Sequence, residues 1–460
     1  MKKALLLLLL SGILFSCNRD SVNKLSDDEA IKLIFESAAS SDESYMNLEY
    51  LTDNFSERLA CYPQSIEAAK WTQKIMSEMG LDLVFLQEAK VMNWKRGDVE
   101  IGAIKLGGDL IKVNICSLGR GIPTGESGLE ANIIEVYGLE GLKALTKAEV
   151  QGKIVFFNQA MNPKEKNTFK AYGEAAGQRF YGPILAAEYG AVGAIIRSLT
   201  TSIDTFPHTG VTKKAMDVQT VPSVCIATEH ANLLSDKLKE KSDLTFYFKT
   251  NCKNLPDTIS YNAIGQITGS EFPDEFIVVG GHLDSWDNSP GAHDDGGGCM
   301  QSIDVLRIFQ EIGYKPKRSI RAVMFMDEEI SQGGGKAYAE EAKAKGEKHL
   351  FAIESDRGVT RPTGFSFDMP QDKIDKINQW SYLFQPYDIE LFIRGGGGVD
   401  IAPLKDLGTP LSGLLTDPEH YFDWHHSGND TFDQVVKEEF QDGAAAMAAL
   451  IYLIDKYGLE

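Results

Sequence analysis

IVVGGHLDSWDNSPGAHDDGGG, residues 277–298, is the stretch from which the fold can be read. Its opening, Ile277, Val278 and Val279, is β-branched without polar alternation, the pattern of a parallel strand buried on both faces. Two glycines end the run, and His282 and Asp284 follow at the strand's C-terminal end. Asp294 and Asp295 come next, ahead of three glycines and an apolar segment with helical spacing at Ile303, Leu306 and Phe309. The order is strand, acidic loop, helix.

The same arrangement recurs downstream. Residues 319–326 (SIRAVMFM) form a strand that runs into Asp327, Glu328 and Glu329, and residues 350–353 form another that runs into Glu354, Ser355, Asp356 and Arg357. A further strand at 410–415 precedes HYFDWHHSGNDT, residues 420–431, which places His425 and His426 in a turn, and a helix over 444–455 closes the chain. Alternation of strand and helix predicts an α/β fold, a mostly parallel mixed sheet sandwiched by helices. In such sheets ligands collect outside the carboxyl ends of the strands, so the acidic loops converge on one crevice.

One histidine, an aspartate pair, a glutamate pair, another aspartate and a late histidine pair make a ligand set for zinc, which takes imidazole and carboxylate donors. Two zinc ions roughly 3.5–4 Å apart need one carboxylate that bridges them. The reading assigns His282 and Asp356 to one ion, Glu329 and His426 to the other, and Asp294 to the bridge. Successive side chains diverge at a strand end, so only one of two adjacent glutamates ligates. Glu328 is left as general base. Asp284, two residues beyond His282 on the same side of an extended strand, is expected to accept the imidazole's other N–H. A water bridging both ions supplies hydroxide near neutral pH, and Glu328 takes its proton and passes it to the leaving amine.

GGHLDSWD (280–287), GAHDDGGG (291–298), DEE (327–329), ESDRG (354–358) and HHSGNDT (425–431) resemble the motifs of the co-catalytic dizinc exopeptidases, which include bacterial aminopeptidases and glutamate carboxypeptidases, and most closely the carboxypeptidase Q branch. The resemblance implies the same ligands, His282, Asp294, Glu329, Asp356 and His426, with Glu328 as base and Asp284 in support. It selects His426 over His425, and it implies a cis peptide between Asp294 and Asp295. It also implies an exopeptidase acting on short peptides, of dipeptidase or carboxypeptidase type. An aminopeptidase is the alternative within the family, and a glutaminyl cyclase or a receptor-like binding protein the alternatives outside catalytic peptide hydrolysis. The last two would have altered or lost ligands, and here the set is complete.

Of the 460 residues, 43% are hydrophobic, and the formal charge of −20 excludes nucleic acid as a natural partner. Lys2 and Lys3, an apolar run at 4–10 and Leu14-Phe15-Ser16-Cys17 resemble a bacterial lipoprotein leader. Residues 1–16 are then a signal peptide and 17–26 a tether, with the membrane reached only through a lipidated Cys17 and the body exported, periplasmic or on the cell surface. The other five cysteines have no C-x-x-C spacing and are read as free thiols, although an exported location permits one bridge.

Residues 27–80 read as two helices and 83–91 and 99–115 as strands, after which the glycine-rich 119–128 reads as a boundary. The catalytic domain is accordingly placed at 27–128 and 253–460. Residues 129–252, in GKIVFF, YGPILAAEYGAVGAIIRS and VPSVCIATEHANLL, resemble an inserted protease-associated α/β domain. His208 and His230 within it are read as structural, and His293 as a wall residue of the site. The loop RGGGGVDIAPL (394–404) is either a substrate-side loop or a flexible connection, and SQGGGKAY (331–338) lacks the features of a phosphate-binding loop. Arg357 and Arg394 are the candidates for binding a substrate carboxylate, and a homodimer is left open.

Overall fold

The computed structural model describes residues 22–213, 219–241 and 243–460, so the apolar leader and Cys17 lie outside the described residues. The chain forms two sheets of eight strands. In the first the order is Leu83–Lys95, Lys253–Ile267, Arg318–Phe325, Phe272–His282, Lys348–Glu354, Leu411–Thr416, Pro362–Asp368 and Leu391–Arg394. Its four central strands are parallel, and antiparallel neighbours flank them on both sides.

Burial explains the unbroken apolar runs. Ile277, Val279, Ile320, Ala322, Met324, Phe351 and Ile353 pack on one face under helices Asp27–Ala39, Glu43–Asn54, Gly297–Glu311 and Lys437–Tyr457. Val278, Val323, Phe325 and Ala352 pack on the other, against Tyr338, Ala339 and Ala342 of helix Gly333–Lys345. With both faces covered, no strand position can be polar without a partner. Residues 27–80 form three helices rather than two. Pro63 at the first turn, where a missing N–H costs nothing, starts the third, Pro63–Glu78.

The second sheet is inserted between the two antiparallel strands at the edge of the first, and Lys95 pairs with Lys253 where the chain leaves and returns. Its order is Asp109–Val113, Glu100–Leu106, Thr245–Thr250, Leu129–Val136, Ile154–Phe157, Gly193–Arg197, Ser223–Ile226 and Ile115–Ser117. The strands between residues 100 and 117, assigned from sequence to the catalytic part, therefore belong to the inserted unit. Glu100–Leu106 pairs with Thr245–Thr250, and Ile115–Ser117 with Ser223–Ile226. The glycine-rich segment 119–128 is a crossover inside this unit, so its turn chemistry marks a connection and not a domain boundary.

Candidate metal centre

The site lies where the central strands of the first sheet end. His282 is the last residue of its strand, Glu328 and Glu329 follow Phe325, and Asp356 follows Glu354. Asp294 sits in the turn before helix Gly297–Glu311, joined by a cis peptide to the following Asp295 as the resemblance implies. His426 enters with φ +61° behind the short helix Tyr421–Trp424.

The two oxygens of Asp294 face different histidines. Oδ1 is 3.2 Å from His282 Nε2, which is also 3.5 Å from Asp356 Oδ1. Oδ2 is 3.4 Å from His426 Nε2, which is 3.1 Å from Glu329 Oε2. These are the two ligand sets read from the sequence, with Asp294 between them. His425 Nε2 is farther from the same oxygen, 3.9 Å, and its ring stacks on that of His426.

The outer nitrogens decide what the inner ones can do. His282 Nδ1 donates to the carbonyl of Asp284 at 2.9 Å, and His426 Nδ1 to that of Thr209 at 3.3 Å. Burial followed by the neighbouring His425 holds His426 well below the usual imidazole range, so this ring has one N–H and uses it there. Its Nε2 is then a lone pair aimed at carboxylate oxygens. Acceptors facing acceptors are held together by a cation between them. Asp294 Oδ2 and Glu329 Oε1 are moreover buried without a hydrogen-bond partner. Burial first, and then the negative charge of Asp294 and, for Glu328, of Asp356, outweigh the opposing pull of His282 and push Glu328 and Glu329 well above the usual carboxylate range. His282 moves the other way: burial would lower it, but Asp294 and Asp356 outweigh that and raise it well above its ordinary value. Buried carboxylates converging on imidazole nitrogens fit a pair of divalent cations: by distance His282 goes with Asp356, His426 with Glu329 and Asp294 with both, and His425 and Asp295 lie close enough to join the two groups.

Asp284 departs from its expected role. The strand ends at His282, so the chain turns and presents the carbonyl of Asp284 to the imidazole, while the carboxylate Oδ1 stands 3.8 Å from Nδ1. That oxygen accepts the N–H groups of Asp327 at 2.7 Å and Glu328 at 3.2 Å. The carboxylate of Asp284 thus fixes the turn that carries Glu328, while its carbonyl, and not the expected carboxylate, holds the tautomer of His282. His293, expected as a wall residue, lines neither cavity over the centre: it is buried, stacks on Trp424, accepts the Val359 N–H at Nδ1 and donates from Nε2 to the Gln434 carbonyl.

Several supports carry no sequence signal of their own. Asp430 accepts the backbone N–H groups of His293 at 2.7 Å and Asp294 at 3.0 Å, and Asp295 accepts that of His282 at 2.9 Å. Arg58, fully buried, donates to the carbonyls of Leu283, Pro290 and Gly291 and so spans the acidic loop from end to end. The inserted unit contributes His208, read from sequence as structural. Its Nδ1 donates to the His425 carbonyl at 2.7 Å, and Thr209 N–H to that of His426 at 3.0 Å. Finding these needs the tertiary contact, because the partner is a backbone atom more than 200 residues away. His208→Ala is expected to weaken one of the two cation sites about 10- to 100-fold, as other outer supports of ligands do. Competition against a chelator of known affinity checks it.

Above the centre is a cavity of about 510 Å³, lined by both units. Helix Thr168–Glu188 of the inserted unit supplies Phe169, Tyr172 and Arg179, and the segment after Ser117 supplies Arg120. A smaller cavity of about 350 Å³ adjoins it through Asp356 and Phe169, lined by Arg357 and glycines 396–398. The glycine-rich loop is therefore on the substrate side, and it is fixed: Glu354 accepts the N–H groups of Val399 and Ile401, both at 2.9 Å. Gly398 has φ +144°, and a Cβ there would meet the Glu354 carboxyl carbon at 2.5 Å. Arg394 lies on the edge strand, bonded to Met369 and Gln371, and lines neither cavity.

This placement of a two-cation ligand set agrees with the relationships of the chain. Peptidase family M28 matches residues 262–451. Carboxypeptidase Q from Bos taurus is 31% identical over 90% of this chain and 85% of that protein, and carboxypeptidase Q from Homo sapiens is 31% identical over the same shares. A peptidase M28 precursor from Shewanella amazonensis is 30% identical with a TM-score of 0.87, covering 93% of this chain and 96% of that structure. The chain belongs to peptidase family M28. A zinc aminopeptidase from Bacillus subtilis, 20% identical, shares the fold with a TM-score of 0.63 over 89% of this chain and 93% of that one. As an M28 peptidase the chain is a hydrolase of peptide bonds, and the convergent carboxylates and histidines are its candidate centre.

Proposed function

We propose that this M28 peptidase is a dizinc exopeptidase of dipeptidase or carboxypeptidase type, exported and tethered through a lipidated Cys17, whose inserted unit is of protease-associated type. The observation that carries the metal reading is the orientation of His282 and His426, each committing Nδ1 to a carbonyl and turning Nε2 on carboxylates. His282, Asp356, Glu329, His426 and Asp294 would hold the ions. Zinc held there supplies a Lewis acid that polarises the scissile carbonyl and lowers the pKa of a water. Glu328 lines the cavity with no partner for its carboxylate among the described residues, free to take the proton of the attacking water and return it to the leaving amine. Asp284 holds the backbone of Glu328 in register for both transfers.

The terminus is read from unpaired cations. Arg120 and Arg179 both line the cavity, and neither has a carboxylate within ion-pair distance among the described residues. Arg179 spends Nη1 on the Thr209 carbonyl and Nη2 on the Tyr172 hydroxyl, and its Nε, like that of Arg120, has no partner. Arg179 is buried and Arg120, whose Nη2 donates to the Ile330 carbonyl, half-buried; both keep spare donors that match the α-carboxylate of a short peptide. One dipeptide offered free, N-acetylated and C-amidated tests this. The free form, and for a carboxypeptidase the acetylated form, is expected to be cleaved and the amide not. Cleavage of the amide would establish an aminopeptidase instead. Arg120→Gln is expected to lower kcat/KM for the free dipeptide about 10- to 100-fold through loss of one charge-assisted hydrogen bond, mostly in KM.

A further inference from the structure

Cys116 and Cys225 stand directly opposite each other in the inserted unit. The antiparallel pair of Ile115–Ser117 and Ser223–Ile226 has the register Ile115 to Ile226, Cys116 to Cys225 and Ser117 to Val224. Backbone bonds from Ala227 N to Asn114 O and from Leu118 N to Ser223 O bracket the two cysteines at steps of two residues, which makes them a hydrogen-bonded pair of the ladder. Residues so paired have Cα atoms about 5.5 Å apart, inside the span of roughly 4.4–6.8 Å that a disulfide bridges. Opposed residues project to one face of a sheet, and both cysteines pack in one apolar cluster with Leu118, Val155, Phe157 and Ile196. Both are buried free thiols. Cys61 and Cys252 pack together in a different cluster and Cys299 under the catalytic sheet, so no other described thiol competes within this one.

We propose that Cys116 and Cys225 are a disulfide-forming pair, closed by thiol–disulfide exchange with a disulfide oxidant before or while the edge strand docks. The thiolate of one cysteine attacks a sulfur of the oxidant, forming a mixed disulfide and expelling one oxidant thiolate. The thiolate of the other attacks the protein sulfur of that mixed disulfide and expels the second. The two cysteines lose two electrons, the oxidant gains them, and the two protons end on its thiols. The bridge closes a loop of more than 100 residues, the case in which a crosslink removes most freedom from the unfolded chain. It also sits beside the seat of a ligand histidine. The carbonyl of Ser117, one residue along, accepts the Thr209 hydroxyl at 2.8 Å and Arg96 Nη1 at 2.7 Å, and Thr209 is the residue bonded to both Nδ1 and the carbonyl of His426. The edge strand that the bridge would pin is thus one step removed from the metal centre.

The occurrence of the bridge in the cell rests on the export reading; its chemistry does not. The full chain, purified from membranes without reductant, is unfolded, alkylated with iodoacetamide and digested with trypsin. A second sample is first reduced, then equilibrated with oxidised glutathione in mild denaturant and refolded. The expected result in both is residues 113–120 joined to residues 215–237, lighter by two hydrogens than the sum. The linked peptide in the glutathione sample alone would uphold the pair and overturn export. Alkylation of both cysteines in both samples would overturn the pair. Reduction is further expected to lower the melting temperature by on the order of 5 °C. Cys116→Ser/Cys225→Ser protein should show no such fall, and equal falls in both proteins would overturn the stabilising role.

Discussion

Glu328→Gln is expected to lower kcat by about 10²- to 10⁴-fold while leaving the metal content unchanged. The substitution keeps the size of the side chain and its place in the cavity wall, and removes only the group able to accept and return a proton. Because Glu328 has no hydrogen-bond partner for its carboxylate among the described residues, little else in the fold depends on it. Its backbone N–H, which Asp284 holds at 3.2 Å, is untouched. KM should change far less than kcat, as for an interaction that matters chiefly in the transition state. Single-turnover hydrolysis with metal analysis on the same preparation checks it. Loss of zinc in parallel with activity would mean that Glu328 is a ligand and Glu329 its neighbour in function.

Asp294→Ala is expected to abolish turnover through a different route, the loss of both ions. Each oxygen of Asp294 faces one histidine, at 3.2 Å and 3.4 Å, so its removal subtracts a donor from both ligand sets at once. No other carboxylate approaches both His282 and His426 within 4 Å among the described residues. The loss of affinity should exceed the 10- to 100-fold typical of outer supports, at both sites. Metal analysis after dialysis is expected to fall from two ions per chain to below one. The loop itself should persist, since Asp430 holds it through backbone N–H groups and Arg58 through carbonyls.

The sheet and the ligand set were legible because they repeat one local rule. A strand covered on both faces has to be apolar throughout, so each of the central strands announces itself, and the polar residues that follow mark its end. The two glutamates diverge as successive side chains at a strand end do: Glu329 stands 3.1 Å from His426, and Glu328, which lines the cavity with it, pairs with no histidine among the described residues. Asp284 was misread because an i, i+2 argument holds only while the strand stays extended, and the strand stops at His282. The boundary at 119–128 was misread because glycine and proline report a turn and not what the turn connects. The supports from Arg58, His208 and Thr209 were illegible in principle: they act through or upon backbone atoms, whose partners no side-chain pattern encodes. The same holds for Arg120 and Arg179, which reach the cavity only because the inserted unit folds back over the strand ends.

The most direct measurement is an anomalous difference map at the zinc edge from crystals of the protein grown with zinc. Two peaks are predicted, one on either side of the Asp294 carboxylate, the first contacting His282 and Asp356 and the second Glu329 and His426. A single peak, or a second peak bound by His425 in place of His426, would contradict the dizinc account.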